Sequence, residues 1–162
     1  PALAGKDTGL LSEAGCPAIA DPGALIVKRA HEKGIRVVPW VGPSSLILSL
    51  MASGFNGQQF AFHGYLPINR AERLRKIQEL EKLSAKLDQT QIFIETPFRN
   101  NQLLEDLLKA CRPDTGISIS CDLTTAGEFI ATRSAAEWRK QAPDLHKRPA
   151  VFLLYAGAVE IK

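Results

Sequence analysis

The chain has 162 residues, 45% of them apolar and 23% charged, and carries a formal net charge of +3. That length and composition suit one core of ordinary size or two small lobes, and they exclude disordered and collagen-like chains, because Leu, Ile and Val are ample enough to offset the entropy of ordering. The apolar run over residues 46–52 is interrupted by Ser49 and falls far short of the roughly 20 residues of a spanning helix, so no membrane segment is expected.

Residues 8–12 read as a short strand that runs into the turn Glu13-Ala14-Gly15-Cys16-Pro17. Asp21-Pro22-Gly23 then opens a helix, with Asp21 as N-cap and Pro22 at the first helical position. Leu25, Ile26, Arg29 and Ala30 give that helix a mixed face, and Gly34 stands where a left-handed C-terminal residue belongs. Residues 35–38 are the next expected strand. Gly42-Pro43-Ser44-Ser45 marks the loop before a largely apolar helix that ends at Gly54. Two strand-helix units in succession predict a parallel sheet, buried on both faces.

The texture changes after Gly54-Phe55-Asn56-Gly57, which is read as the boundary between a lobe over residues 1–55 and a second over residues 56–162. The second lobe is expected to carry strands at 59–64, 90–95, 116–121, 127–132 and 150–155. Helices are expected at 69–87, 98–111 and 134–141, the last beginning at a Ser N-cap, and the strand at 127–132 is expected to pair antiparallel. In the long helix Leu74, Ile77, Leu80, Leu83 and Leu87 form the packing face, while Arg70, Arg73, Arg75, Lys76, Lys82 and Lys86 decorate the rest. The fold class is α/β, a parallel-sheet lobe followed by a mixed-sheet lobe.

Three cysteines, Cys16, Cys111 and Cys121, are odd in number and lack C-x-x-C spacing. That argues against a disulfide framework and for a reducing, cytoplasmic location. Residues 1–6 show neither a basic n-region nor an apolar h-region, so no secretory signal is read there. His31, His63 and His146 are scattered without H-x-x-x-H spacing, and no metal is expected. The sequence pI of about 8.9 hints at an anionic partner. Acidic residues are interspersed, however, and charge alone does not establish nucleic-acid binding.

Ligands of open α/β sheets bind at the carboxyl ends of strands, where loop and helix N–H groups converge. Residues 13–23, 40–45 and 95–99 occupy such positions. In the first, Gly15, Pro17, Pro22 and Gly23 constrain the backbone, and small Ala14, Gly15, Ala18 and Ala20 allow close approach. Neither G-x-G-x-x-G nor G-K-[ST] occurs, so the common nucleotide loops are absent.

Four segments carry a more specific likeness. Ser12-Glu13-Ala14-Gly15-Cys16-Pro17-Ala18-Ile19-Ala20-Asp21-Pro22-Gly23 resembles the S-D-A-G-T-P-x-I-S-D-P-G signature of the ribosomal RNA small subunit methyltransferase I group, within the tetrapyrrole methylase superfamily of S-adenosylmethionine (SAM)-dependent enzymes. Val37-Val38-Pro39 with Gly42-Pro43-Ser44-Ser45 resembles V-V-P-x-P-G-P-S-A, residues 60–67 resemble F-x-F-x-G-F-L-P, and Glu95-Thr96-Pro97-Phe98-Arg99 resembles E-S-P-x-R. The motifs follow family order over nearly the whole chain.

The resemblance implies a two-lobed enzyme, a homodimer, that holds SAM between its lobes and methylates a ribose 2'-oxygen in small subunit (16S) rRNA. By motif, Ala14, Gly15, Cys16 and Ile19 would line the methionine end of SAM, and Ser44 and Ser45 would contact it from the next loop. Glu95 would contact the cofactor at a strand end, and Leu123, Pro149 and Ala150 would lie near the adenosine. Arg99 is a candidate substrate contact. No catalytic side chain is forced by methyl transfer, which rests mainly on alignment and exclusion of water. If a ribose hydroxyl is the acceptor, Glu13, Asp21 and Glu95 are the candidate bases.

The group's P-T-P-I-G-N-L segment and its following strand-helix stretch have no counterpart before Ser12, so the sequence reads as N-terminally truncated. Cys121-Asp122-Leu123-Thr124-Thr125 replaces R-E-L-T-K and loses both basic positions, which reads as a divergent paralogue. Two other readings stay open: a tetrapyrrole-type methylase of a small molecule, and a non-catalytic RNA-binding or dimerisation module.

Simpler roles compete for individual residues. Asp21 is an N-cap as readily as a ligand contact, Glu95 and Arg99 are spaced for an ion pair, and Cys16 reads as a small spacer. The interspersed Glu72, Glu79 and Glu81 make the long helix a solvated face more than an RNA contact. Trp40 and Trp138 read as packing residues, with Trp40 placed to act as a lid.

Overall fold

The structure, a computed structural model, describes residues 1–157, so the last five residues of the expected second lobe lie outside the described residues. Residues 1–45 form one compact unit and a second begins at Leu46.

The regular structure of the first unit is a 3-10 turn at Ala2–Ala4 and helix α1 at Ala24–Glu32. The strands expected at 8–12 and 35–38 are not formed, and the parallel sheet they were to build is therefore absent. A strand persists only where its N–H and C=O groups find a ladder and its apolar side chains find a covering layer. Here Leu11, Val38, Trp40 and Val41 are exposed, and none of residues 1–45 is buried. Trp40, read as a packing residue, is thus 91% exposed.

Helix α1 also starts later than expected. Its N-cap is Gly23, not Asp21, and Gly23 sits at φ 145° where a Cβ would come within 2.8 Å of Leu10 Cδ2. Only glycine permits that backbone and that approach, so the chain turns at Gly23 and the helix begins behind it. Gly34 is left-handed, at φ 65°, as its position predicts.

The second unit is a layered α/β domain. Its elements are α2 (Ser45–Ser53, whose first residue belongs to the first unit), β1 (Phe60–Tyr65), α3 (Arg70–Leu87), β2 (Thr90–Ile94), α4 (Asn100–Ala110), β3 (Gly116–Cys121), β4 (Phe129–Ser134), α5 (Ala135–Lys140) and β5 (Ala150–Tyr155). The five strands lie in one sheet in the order β1-β2-β5-β3-β4. Only β1 and β2 are parallel, with α3 between them in sequence; the other pairings are antiparallel. The boundary falls ten residues before that read from the sequence, because Leu46 and Leu50 of α2 pack on Ile92, Val151 and Leu153 of the sheet.

Period-2 alternation sorts the strands onto two faces. Ile117, Ile119, Phe93, Phe152 and Leu154 meet Ile77 and Leu80 of α3, Leu103 and Leu107 of α4 and Trp138 of α5 in the main cluster. Trp138 donates its indole N–H to Ile117 O at 2.9 Å, so its one polar atom is satisfied inside that core. Asn69 caps α3 by accepting from the N–H groups of Ala71 and Glu72, and Ser134 with Glu137 closes a capping box on α5.

The long helix departs from its sequence reading at three residues, Arg73, Glu81 and Leu87. Arg73, assigned to the wet face, is 2% exposed, whereas Leu87 is exposed. Its guanidinium donates from Nε and Nη2 to Asp106 Oδ2 at 2.9 and 2.6 Å, and from Nη1 to the carbonyls of Pro67 and Ile68 at 3.1 and 2.8 Å. Arg70 Nε reaches the other oxygen, Oδ1, at 2.8 Å. A buried charge survives only when so partnered. Glu81 is likewise buried, accepting from Arg112 N at 2.7 Å and from the Thr115 hydroxyl.

Removing Asp106 strands the Arg73 charge, so Asp106→Ala is expected to lower the unfolding free energy in urea by about 3–5 kcal/mol, while Arg70→Ala, which removes a half-exposed guanidinium and leaves the buried Asp106 paired with Arg73, lowers it by about 1. Replacing both buried partners, Arg73→Met with Asp106→Leu, recovers most of the loss. At pH 8 Ellman's reagent is expected to label Cys16 alone in the native chain and all three thiols after unfolding. Burial, with the Glu81 carboxylate nearby, pushes the Cys111 thiol up to about 12 from 9.0, and burial also raises Cys121. Native Cys111 keeps its proton where the unfolded thiol has lost it, so its contribution is complete below pH 9, falls by about 1.4 kcal/mol per pH unit from there, and is lost as the pH rises through about 12.

Candidate functional site

The candidate residues fall into two sets, one in each unit. In the first unit, the loop over residues 13–23 is a run of tight turns. Gly15, Ala18, Ala20 and Gly23 all have positive φ, and two of these are residues with a Cβ. Such backbone is sterically costly for alanine and holds only where neighbours impose it. Ile19 N donates to Cys16 O at 3.3 Å, and the Ser12 hydroxyl donates to Ala14 O at 2.7 Å.

Cys16 joins the two loops singled out from sequence. Its Sγ lies 3.5 Å from Pro43 O and 3.9 Å from Gly42 O, so residues 14–16 stand against the segment that leads to Ser44 and Ser45. The Cys16 thiol is thus a weak donor to the carbonyls of the second loop. Ser44 is half-buried and Ser45 opens α2. Ala14, Gly15 and Ile19 are exposed, and a Cβ added at Gly15 would meet nothing within 4 Å. The Glu13 carboxylate is exposed and Asp21 is half-buried, and neither side chain has a hydrogen bond or ion pair among the described residues.

The second set gathers at one end of the sheet. The carboxyl ends of β1, β2 and β3 and the amino ends of β4 and β5 lie together there, since Tyr65 pairs with Ile94, Ile94 with Val151, and Cys121 with both Ala150 and Phe129. Glu95 directly follows β2, Ala150 opens β5, and Leu123 follows β3. Asp122 N donates to Pro149 O at 3.0 Å, which ties Leu123 to the Pro149–Ala150 pair through the backbone. Residues separated by up to 55 positions in sequence thus converge on one edge.

Glu95 is buried, and its Oε1 accepts from Arg99 Nη2 at 2.7 Å and from Thr96 N at 2.6 Å. The spacing expected of an ion pair is therefore one, with the carboxylate 1% and the guanidinium 31% exposed. Arg99 Nε also leans on the Thr96 hydroxyl at 3.3 Å. The pair fixes the turn from β2 into α4 and leaves part of the guanidinium facing solvent.

Leu123 lines an open cleft of about 360 Å³ with Leu48, Met51 and Ala52 of α2 and with Thr124, Glu128 and Ile130. Its lining is mostly apolar. The sequence reading missed the α2 wall because Leu48, Met51 and Ala52 carry no motif, only the apolar texture shared with a core helix. It also missed Arg148. That side chain donates from Nε to Asp122 Oδ2 at 2.7 Å and from Nη2 to Gly127 O at 2.8 Å, so a guanidinium stands at the β3–β4 loop although Cys121-Asp122-Leu123-Thr124-Thr125 contains no basic residue. The Asp122 hydrogen bond holds Arg148 above its usual range. Among the described residues no group of three or more His, Cys, Asp or Glu is placed to hold a metal ion, and no helix is long and apolar enough to cross a membrane.

A sequence model of the tetrapyrrole (corrin/porphyrin) methylases matches residues 1–138. The chain is 33% identical over 156 residues to "Ribosomal RNA small subunit methyltransferase I" of Vibrio cholerae serotype O1, an alignment that covers 94% of this chain and 53% of that protein. It spans about half the length of the curated relatives it matches. Among solved structures, the methyltransferase CobJ superposes with a TM-score of 0.55 at 18% identity, over 87% of this chain and 61% of that one. Uroporphyrin-III C-methyl transferase from Thermus thermophilus, solved with S-adenyl homocysteine, superposes with a TM-score of 0.50 at 17% identity, over 87% and 62%. The order of motifs, the mixed five-stranded sheet and the match over residues 1–138 lead to one conclusion: the chain belongs to the tetrapyrrole methylase family.

Proposed function

We propose that the chain is part of a SAM-dependent methyltransferase that acts on a ribose 2'-oxygen of small subunit rRNA, in the cytoplasm and as a homodimer. The observation that carries the reading is convergence: Glu95, Leu123, Pro149 and Ala150, distant in sequence and singled out by motif, meet at one end of the sheet. The names of the curated relatives support the choice of rRNA.

Each unit, taken by itself, offers a feature that suits part of such a donor. In the first unit, the space beyond Gly15 and the small side chains of Ala14 and Cys16 leave backbone N–H groups accessible to a carboxylate. In the second, Leu123 and Ile130 with Met51 offer an apolar wall of the kind an adenine ring needs. When bound, SAM supplies an electrophilic methyl group. The chain's own residues would then have to orient the acceptor and keep water away.

A base would assist a hydroxyl acceptor. Glu95 is a poor choice, because its Oε1 already serves Arg99 and Thr96; it acts as a positioning residue that fixes the Arg99 guanidinium at the sheet end. Glu13 and Asp21 are the carboxylates that could take up the proton. The non-catalytic module reading has one observation in its favour, the absence of any buried residue in 1–45.

Calorimetry separates the two. S-adenosylhomocysteine is expected to give heat with the chain, and Leu123→Asp is expected to weaken binding about 10- to 100-fold by placing a charge on the apolar wall, with the far-UV circular dichroism unchanged. Absence of heat overturns the methyltransferase reading in favour of the module. Labelled methyl transfer to small ribosomal subunits, with the label recovered in 2'-O-methyl nucleosides, tests the acceptor.

A further inference from the structure

We propose that the β2–α4 and α5–β5 loops together form a stacking platform for single-stranded RNA, with the Phe98 ring as the surface on which a base lies. The choice of RNA rests on the rRNA reading above; the platform itself rests on the following geometry.

Phe98 is 69% exposed and sits in the short turn between β2 and α4. The two loops are zipped together. Lys147 N donates to Pro97 O at 3.0 Å, Asn100 Nδ2 to Arg148 O at 2.6 Å, and Leu145 N to Asn101 Oδ1 at 2.7 Å. Lys147 itself is held at φ 59°, a conformation that a lysine adopts only under such constraint. His146 is brought against Phe98, with ring centroids 6.2 Å apart and planes at 73°. A large apolar ring kept exposed by a network that fixes its backbone is unexplained by packing, and a preorganised ring loses little entropy when a planar partner lands on it.

Charge points to the same partner. Over residues 96–101 and 144–149 the cations are Arg99, Lys147 and Arg148, and the sole carboxylate is Asp144. Asp144 Oδ1 is occupied by Asn101 Nδ2 at 2.7 Å and by His146 N at 3.0 Å. Arg99 and Arg148 are each paired with an acid yet remain about a third exposed, and Lys147 has no ion pair among the described residues. Tyr65 and Ile68, also exposed, lie at the same sheet end, with the Pro67–Ile68 turn pinned by Arg73. An exposed aromatic ring among cations is how sequence-tolerant single-strand surfaces are built, the ring taking the base and the cations the phosphates.

The test is fluorescence anisotropy of the chain with a labelled single-stranded RNA of about 12 nucleotides and mixed sequence. Phe98→Ala is expected to raise Kd about 5- to 100-fold, Phe98→Leu to do the same, and Phe98→Trp to retain wild-type affinity. Lys147→Ala is expected to flatten the dependence of log K on log salt by about 0.7. Equal affinity of wild type and Phe98→Ala overturns the platform, as does a Phe98→Leu variant that binds like wild type, or duplex RNA that binds as tightly as the single strand. Calorimetry with S-adenosylhomocysteine on the same preparations keeps the two ideas apart. Heat without RNA binding removes the platform and leaves the methyl donor; RNA binding through Phe98 without heat upholds the platform and removes the methyltransferase.

Discussion

The second unit is organised around one buried charge. Arg73 is enclosed by α3, α4 and the turn after β1, and every donor it offers there must be answered, because an unanswered guanidinium in that setting costs several kcal/mol. Asp106 answers from α4 and the Pro67 and Ile68 carbonyls from the turn. Three elements are thereby fixed relative to one another before any apolar contact is considered. The main cluster fills the space that this leaves, with Ile77 and Leu80 on one side and Leu103 and Leu107 on the other.

The sheet end inherits its order from that arrangement. With α4 held, its approach from β2 is short and rigid, and Glu95 and Arg99 complete the turn. The neighbouring loops are attached by side chains acting on backbone: Asn100 on Arg148, Arg148 on Gly127, Asn101 on Leu145. Little of this depends on exposed ion pairs, which in general contribute little. It depends on hydrogen bonds between side chains and backbone, two of these three half-buried, which give direction as well as energy. Loops built this way can carry a functional surface without the mobility that loops usually have.

Legibility in the sequence followed the source of each element's stability. From β1 onward the second unit could be read to within about two residues, β4 lying at Phe129–Ser134 where 127–132 was expected, because its helices and strands carry their own periodicity and caps. Arg73 misled, since a cation among other cations on a helix looks solvated unless its distant acid is known, and Asp106 lies 33 positions away. The first unit misled for the opposite reason. Its motifs at residues 12–23 and 42–45 are conspicuous, but the strands read beside them need pairing partners that local pattern cannot supply, and Leu11, Val38 and Val41 stay in water. Candidate residues could be picked by motif; that Asp122, beside Leu123, bonds to Pro149 is a matter of topology, which spacing does not encode.

The position of β5 has a consequence for how the domain is made. It lies between β2 and β3, so β1 with β2 and β3 with β4 remain two separate ribbons until residues 150–155 arrive. A ribosome delivers those residues after the other four strands of this sheet have emerged, and the nascent chain must keep Phe93, Ile117 and Ile119 from wrong partners in the meantime. Joining the ribbons demands contacts of high sequence separation, which slows the closing step. The long, Asn69-capped α3 carries the strongest local signals in the domain, whereas the six-residue α5 must wait for the core it packs against.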